Sequence, residues 1–110
     1  LDEDGRRGLA INSMIAGRCI VSGAIVRESM LFFSVFVDEG TEVRRSVVLP
    51  EVEIGRSCHI SNAIIDEGCS IPHGTIIGRD RDADREHFHV TEQGIVLVTR
   101  RMLAGLRRAS

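Results

Sequence analysis

Twelve aliphatic residues recur in this chain at intervals of 17 positions, in three rows: Met14, Leu31, Val48 and Ile65; Ile20, Val37, Ile54 and Ile71; Val26, Val43, Ile60 and Ile77. Successive members are separated by steps of 6, 6 and 5 residues, and then the pattern repeats. Such a pattern describes a three-sided coil with one aliphatic residue pointing inward from each side, stacked about four times. Small or β-branched residues follow four positions after the inward ones: Ala24, Thr41, Cys58 and Thr75 in one row, Val35, Val52 and Cys69 in another. This is the hexapeptide-repeat pattern of a parallel β-helix. Each side is a short strand, and each coil stacks on the last at about 4.8 Å, so four coils make a prism roughly 19 Å tall. Gly23, Gly40, Gly55, Gly68 and Gly74 fall near the turns, where positive φ costs a glycine least. Coils of this kind are left-handed as a rule, an exception to the usual crossover hand. The expected fold is therefore all-β: a single-stranded left-handed parallel β-helix of about four coils, with a C-terminal strand and a short helix.

The prism occupies residues 11–78 on this reading. Residues 1–10 are polar and glycine-containing and read as an interdomain linker. Residues 79–110 leave the period. Within them 79–93 is a charged loop or short helical turn, 95–98 (IVLV) a capping strand, and 99–108 a short helix with a basic end. Ile15, Phe32 and Leu49 each sit one residue after an inward row, which predicts an outward stripe. Phe33 and Phe36 also lie off the inward rows. An apolar stripe on a prism marks a contact with another domain or subunit, or cover by the chain's own C-terminal segment.

The 110 residues suffice for one domain, and the net charge of −2 gives no footprint for nucleic acid. All fourteen basic residues are Arg, which excludes lysine chemistry. No stretch has the length of a membrane span, and no signal peptide is visible. The three cysteines, Cys19, Cys58 and Cys69, form no C-x-x-C pair. Cys58 and Cys69 fall on inward small-residue rows, so packing explains them, and a reducing cytoplasm fits. No metal site is expected: the H-F-H run of His87 and His89 lacks a fixed third ligand. The carboxylates Asp38, Glu39, Glu51, Glu53, Asp66 and Glu67 read as solvated turns, and no G-x-x-x-x-G-K-[ST] phosphate loop is present. No catalytic residue is expected in this chain. One enzymatic reading stays open from the residues themselves: His73, on a turn, as general base of a stand-alone hexapeptide-repeat acyltransferase with a CoA donor. A purely structural oligomerisation module is the other alternative.

The segments NSMIAGRCIVSGAIVRESMLF, VVLPEVEIGRSCHI, AIIDEGCSIPHGTIIG and GIVLVTRRML together resemble the C-terminal domain of bacterial glucose-1-phosphate adenylyltransferases, from Asp2 to Leu103. The resemblance implies a parent enzyme that makes ADP-glucose and pyrophosphate from ATP and glucose 1-phosphate, with Mg²⁺, for glycogen synthesis. An N-terminal nucleotidyltransferase domain would do the chemistry. This domain would help to build a homotetramer and take part in allosteric control, needing no cofactor of its own. By the same resemblance Arg100, in V-T-R, matches an arginine of the family's phosphorylated-sugar activator site, and Arg101 sits beside it. Ala104 and Glu67 stand where activator-sensitive relatives carry further arginines, which leaves the activator's identity open. Ala16 and Gly17, in the first turn, lie near the family's effector pocket, where backbone N–H groups can hold a small carboxylate or phosphate.

Overall fold

Parallel backbone hydrogen bonds from each coil to the next hold this chain together, as the computed structural model of residues 9–109 shows. The first coil is β1 (Leu9–Ile11), β2 (Met14–Ile15) and β3 (Ile20–Val21). The second is β4 (Ile25–Arg27), β5 (Met30–Leu31) and β6 (Phe36–Val37). The third is β7 (Glu42–Arg44), β8 (Val47–Val48) and β9 (Glu53–Ile54). The fourth is β10 (His59–Ser61), β11 (Ala63–Ile65) and β12 (Ser70–Ile71), and β13 (Ile76–Ile77) begins a fifth. Three parallel faces result. The first is β1-β4-β7-β10-β13, the second contains β2-β5-β8-β11, and the third is β3-β6-β9-β12. The first strand begins at Leu9, inside the stretch read as a linker. Residues 1–8 lie outside the described residues.

Ten of the twelve predicted inward residues, from Val26 to Ile77, are buried at 3% exposure or less. Met14 and Ile20 are not: they are 66% and 58% exposed. Register explains the correction. Ile15 pairs with Leu31 and Val21 with Val37, so these two residues, not their neighbours, enter the inward columns. The first coil is one residue short, because residues 22–23 make the turn that residues 38–40 make one coil later. A 16-residue coil slips every side chain of β1, β2 and β3 by one place, and a one-place slip reverses the face.

The small-residue rows form a second internal framework. Ser29 Oγ donates to the Arg27 carbonyl at 2.7 Å and accepts the N–H of Ser46 at 3.1 Å. Ser46 Oγ repeats the pattern, donating to the Arg44 carbonyl and accepting from the N–H of Ala63. Thr41 does the same on another corner, accepting from the N–H of Cys58 and donating to the Gly55 carbonyl. Each hydroxyl thus satisfies a backbone donor one coil above it, where a buried N–H without a partner would cost about 1–3 kcal/mol.

Every corner turns through one left-handed residue per coil. At the first corner these are Asn12, Glu28, Arg45 and Asn62, and at the second Arg18, Ser34, Glu51 and Gly68. At the third they are Gly23, Gly40, Ser57 and Gly74. Eight of these twelve are not glycine, so the corners are specified by stacking more than by residue type. Gly55 is no such turn. It is small because His73 folds over it: a Cβ there would sit 2.7 Å from His73 Nδ1.

The C-terminal segment closes the upper end. α1 (Arg81–His87) is capped by Asp80, whose carboxylate accepts from the N–H groups of Asp82 and Ala83. β14 (His89–Val90) runs antiparallel to β15 (Val96–Val98), and β15 joins the second face as its fifth parallel strand, beside β11. α2 (Arg100–Ala109) follows. Phe88, Val96, Val98 and Leu103 are buried against the columns. Asp84 is the buried carboxyl of this cap. It accepts the Gly78 N–H at 3.0 Å, and burial raises its pKa above the ordinary value, with the Gly78 bond opposing and Asp80 adding to the rise.

Two expectations follow. Ser57→Gly removes a left-handed L-residue from a column otherwise glycine; against the greater chain freedom of glycine, a net gain of about 0.5–1 kcal/mol is expected, read as a melting point a few degrees higher. Asp84→Asn keeps an oxygen for the Gly78 N–H and removes a buried charge. A carboxyl with a raised folded pKa contributes stability that is complete below its unfolded pKa and is lost as pH rises through the folded one. The melting-point advantage of the Asn variant should therefore grow from about pH 3.5 to pH 7. An advantage that shrinks over that range would contradict the assignment.

Candidate functional site

Arg100 owes its position to β15. That strand pairs with β11 in the register Ala63↔Val96, Ile64↔Leu97 and Ile65↔Val98, so the chain leaves the second face directly above the corner 66–68. There Thr99 caps α2, its hydroxyl accepting the N–H of Met102 at 3.3 Å. Arg100 is the first residue of the helix, and its stem lies where no side chain intrudes: a Cβ on Gly68 would be 3.5 Å from Arg100 Cδ. Buried Leu103 anchors the same helix one turn on. Gly68, Ser70, Arg100, Leu103 and Ala104 line an open cleft of about 200 Å³. Arg100 and Arg101 are both exposed. A guanidinium at a helix N-terminus adds its charge to the N–H groups that the cap leaves over, an arrangement suited to a phosphate or carboxylate. The local field is visible on Cys69. Its thiol is pushed up to about 11, chiefly by burial, with Asp66 adding to the rise and Arg100 opposing it.

The other effector candidates lie elsewhere along the same corner. Gly17 belongs to the first coil and Gly68 to the fourth, joined through the N–H bonds of Ser34 to Gly17, Glu51 to Phe33 and Gly68 to Pro50. Three coil spacings put them about 14 Å apart. Arg100 with Arg101, and Ala16 with Gly17, are therefore two places and not one pocket. The N–H of Ala16 is already given to the Leu31 carbonyl at 2.9 Å, which removes it as a donor to an effector. Gly17 lines an open groove of about 630 Å³ with Arg18, Phe33, Ser34, Glu51 and Glu67.

The apolar interface candidates do not form one stripe. Ile15 heads an inward column and is exposed because it lies in the first coil. Phe32 and Leu49 are half-buried beside the second face, Phe33 is exposed on the groove, and Phe36 stands on the third face, in register with Ile20 and Glu53. A different row was hidden one position earlier. Met14, Met30, Val47, Ile64 and Leu97 are register partners on five successive strands of the second face. Each points away from the columns; Met14 is 66% exposed, and Met30 and Ile64 are exposed to a lesser degree. The signal was available, since Met30, Val47 and Ile64 keep the 17-residue spacing.

His73 does not have the geometry of a general base. Its Nδ1 accepts the N–H of Arg56 at 2.8 Å, so the neutral ring carries its proton on Nε2 and offers a donor to solvent. Cys58 and Cys69 are buried, and burial raises both thiols. All three cysteines are free. Among the described residues no three His, Cys, Asp or Glu side chains lie close enough together to hold a metal ion, and no helix is long and apolar enough to cross a membrane.

Residues 1–98 match the protein family described as GlmU-like, C-terminal hexapeptide. The chain belongs to that family. Its fold is accordingly the left-handed parallel β-helix of the hexapeptide repeat. The chain is also 52% identical, over 93% of its length, to a glucose-1-phosphate adenylyltransferase of Nitrosococcus oceani. It is 57% identical over 93% to that of Thiobacillus denitrificans, and 54% identical over 89% to that of Methylococcus capsulatus. It spans about a quarter of the length of these relatives: 24%, 23% and 23% respectively. The resemblance to the C-terminal domain of glucose-1-phosphate adenylyltransferases drawn from the sequence is thus matched by the relatives themselves.

Proposed function

We infer that this chain is the regulatory and assembly domain of a cytoplasmic enzyme that forms ADP-glucose and pyrophosphate from ATP and glucose 1-phosphate for glycogen synthesis. The transfer itself, with its Mg²⁺, is assigned to an N-terminal nucleotidyltransferase domain, and the isolated chain is expected to be inactive. The observation that carries the regulatory part is Arg100, held at the start of α2 over the open corner at Gly68. An anionic effector, a phosphorylated sugar or small carboxylate, that touches both Arg100 and the nucleotidyltransferase domain would favour one arrangement of the two domains. It can shift that equilibrium only by its difference in affinity for the two arrangements, typically about 1–3 kcal/mol. The assembly part, packing into a homotetramer, is supported by the uncharged row Met14, Met30, Val47, Ile64 and Leu97.

The acyltransferase reading loses its base, because the Nδ1 lone pair of His73 is occupied. A scaffold-only reading differs from the regulatory one at Arg100. In the full-length enzyme Arg100→Ala is expected to reduce activator affinity about tenfold or more while leaving turnover without activator close to normal. Unchanged activation by every phosphorylated sugar and small carboxylate tested would leave only the scaffold. Ile64→Asp places a charge in the centre of the apolar row at an outward position, so the fold should survive. The expected result is a smaller assembly by sedimentation, and an unchanged one would remove this face from the interface.

A further inference from the structure

The first face carries a second concentration of positive charge, remote from Arg100. Arg27 and Arg44 are register partners on β4 and β7, where like charges repel. Arg44 Nε donates to Glu42 at 2.9 Å, and the other oxygen of Glu42 lies 3.8 Å from His59 Nδ1. Glu42 thereby fixes one edge of the Arg44 fork, while the Arg44 side chain remains 48% exposed. Two places above, the chain turns sharply at Gly78 (φ +90). A Cβ there would run into the carbonyl oxygen of Ser61, so glycine alone lets the backbone press onto the sheet. That pinch brings Arg79 to the rim of the same face. The neighbouring carboxylates are committed to the cap: Asp80 to the N–H groups of Asp82 and Ala83, Asp84 to that of Gly78. Glu28 and Arg45 follow Arg27 and Arg44 on the adjacent corner, stacked with opposite charges. Glu42, Arg44, His59, Ser61, Gly78 and Arg79 line a cleft of about 240 Å³.

We propose that this cleft binds phosphate, free or as a monoester, between the guanidinium groups of Arg44 and Arg79, with the Ser61 hydroxyl as a third donor. The charges agree in sign: within the cleft Arg44 and Arg79 outweigh Glu42, and Arg27 adds a further positive charge from the coil below. The donors agree too, because planar forks meet tetrahedral oxygens in pairs. An anion lodged there also relieves the Arg27–Arg44 repulsion, which nothing in the β-helix repeat requires. This site stands apart from the one at Arg100, on another face of the prism.

The test is a titration of the 110-residue chain with inorganic phosphate at constant ionic strength, followed by amide resonances. Saturable shifts at Ser61, Gly78 and Arg79 are expected, weakened about tenfold by Arg44→Ala and by Arg79→Ala. Arg100→Ala should leave them unchanged, which separates this site from the regulatory reading. Glycerol phosphate in a second titration distinguishes a monoester site from one for the free ion, according to which binds more tightly. Both substituted side chains are exposed, and a dispersed spectrum verifies that each variant folds. If one does not, the other alone decides. Absence of saturable shifts, equal shifts with sodium chloride, or undiminished affinity in Arg79→Ala would each overturn the proposal.

Discussion

The structure depends on the parallel ladder between coils. Once the N–H groups of one coil pair with the carbonyls of the next, residues of the same phase must stack, and every other property of the chain follows from that stacking. It gathers Leu31, Val48 and Ile65 into a dry column. It places each buried serine hydroxyl under the next backbone donor. It also holds eight non-glycine residues in the left-handed region at the corners. An L-residue there is disfavoured by roughly 1–2 kcal/mol. The corners persist because the ladder on either side leaves the chain no other path.

This explains which parts of the fold were legible. The inward columns show in the sequence because a buried column tolerates only aliphatic residues, and a fixed coil length prints them at a fixed interval. The first coil escaped for the same reason in reverse. Met14 and Ile20 are as aliphatic as Ile15 and Val21, so the pattern alone cannot choose between neighbouring positions. A missing turn residue, visible only as 22–23 against 38–40, decides it. The corners escaped because residues such as Arg45 and Glu51 carry no turn signature; their φ is imposed by stacking. Gly55 looked like a turn glycine and is a contact glycine, made necessary by a side chain 18 residues away.

The sites were less legible than the fold, and unevenly so. Arg100 was singled out through resemblance alone: an arginine after an apolar strand is otherwise unremarked, and the pairing of β15 with β11 shows only why it overhangs Gly68. Ala16 failed as a donor for a local reason, since an N–H in a coil belongs to the ladder before it belongs to any ligand. The outward row from Met14 to Leu97 was obscured by the inward columns beside it. In a β-helix an inward and an outward row share one period and differ only by a single step, so periodicity finds both and assigns neither. Burial is what separates them.

A prism of this kind is a poor conductor of conformational change along its length. Sliding one coil against another would break a ladder bond at each paired position and swing the inward columns toward solvent. Signals are therefore expected to enter and leave at the parts outside the stacked coils. Above the fourth coil those parts are few: the pinch at Gly78, the buried carboxyl of Asp84 that ties α1 to it, the antiparallel β14, and α2 with Arg100 at its start. All of them meet over the same end of the columns, where Phe88 and Leu103 are packed. A ligand on Arg100 would act on α2, which buried Leu103 anchors there. The body of the prism then serves as the fixed reference against which this end can tilt, and the rigidity of the ladder makes a small movement at α2 count.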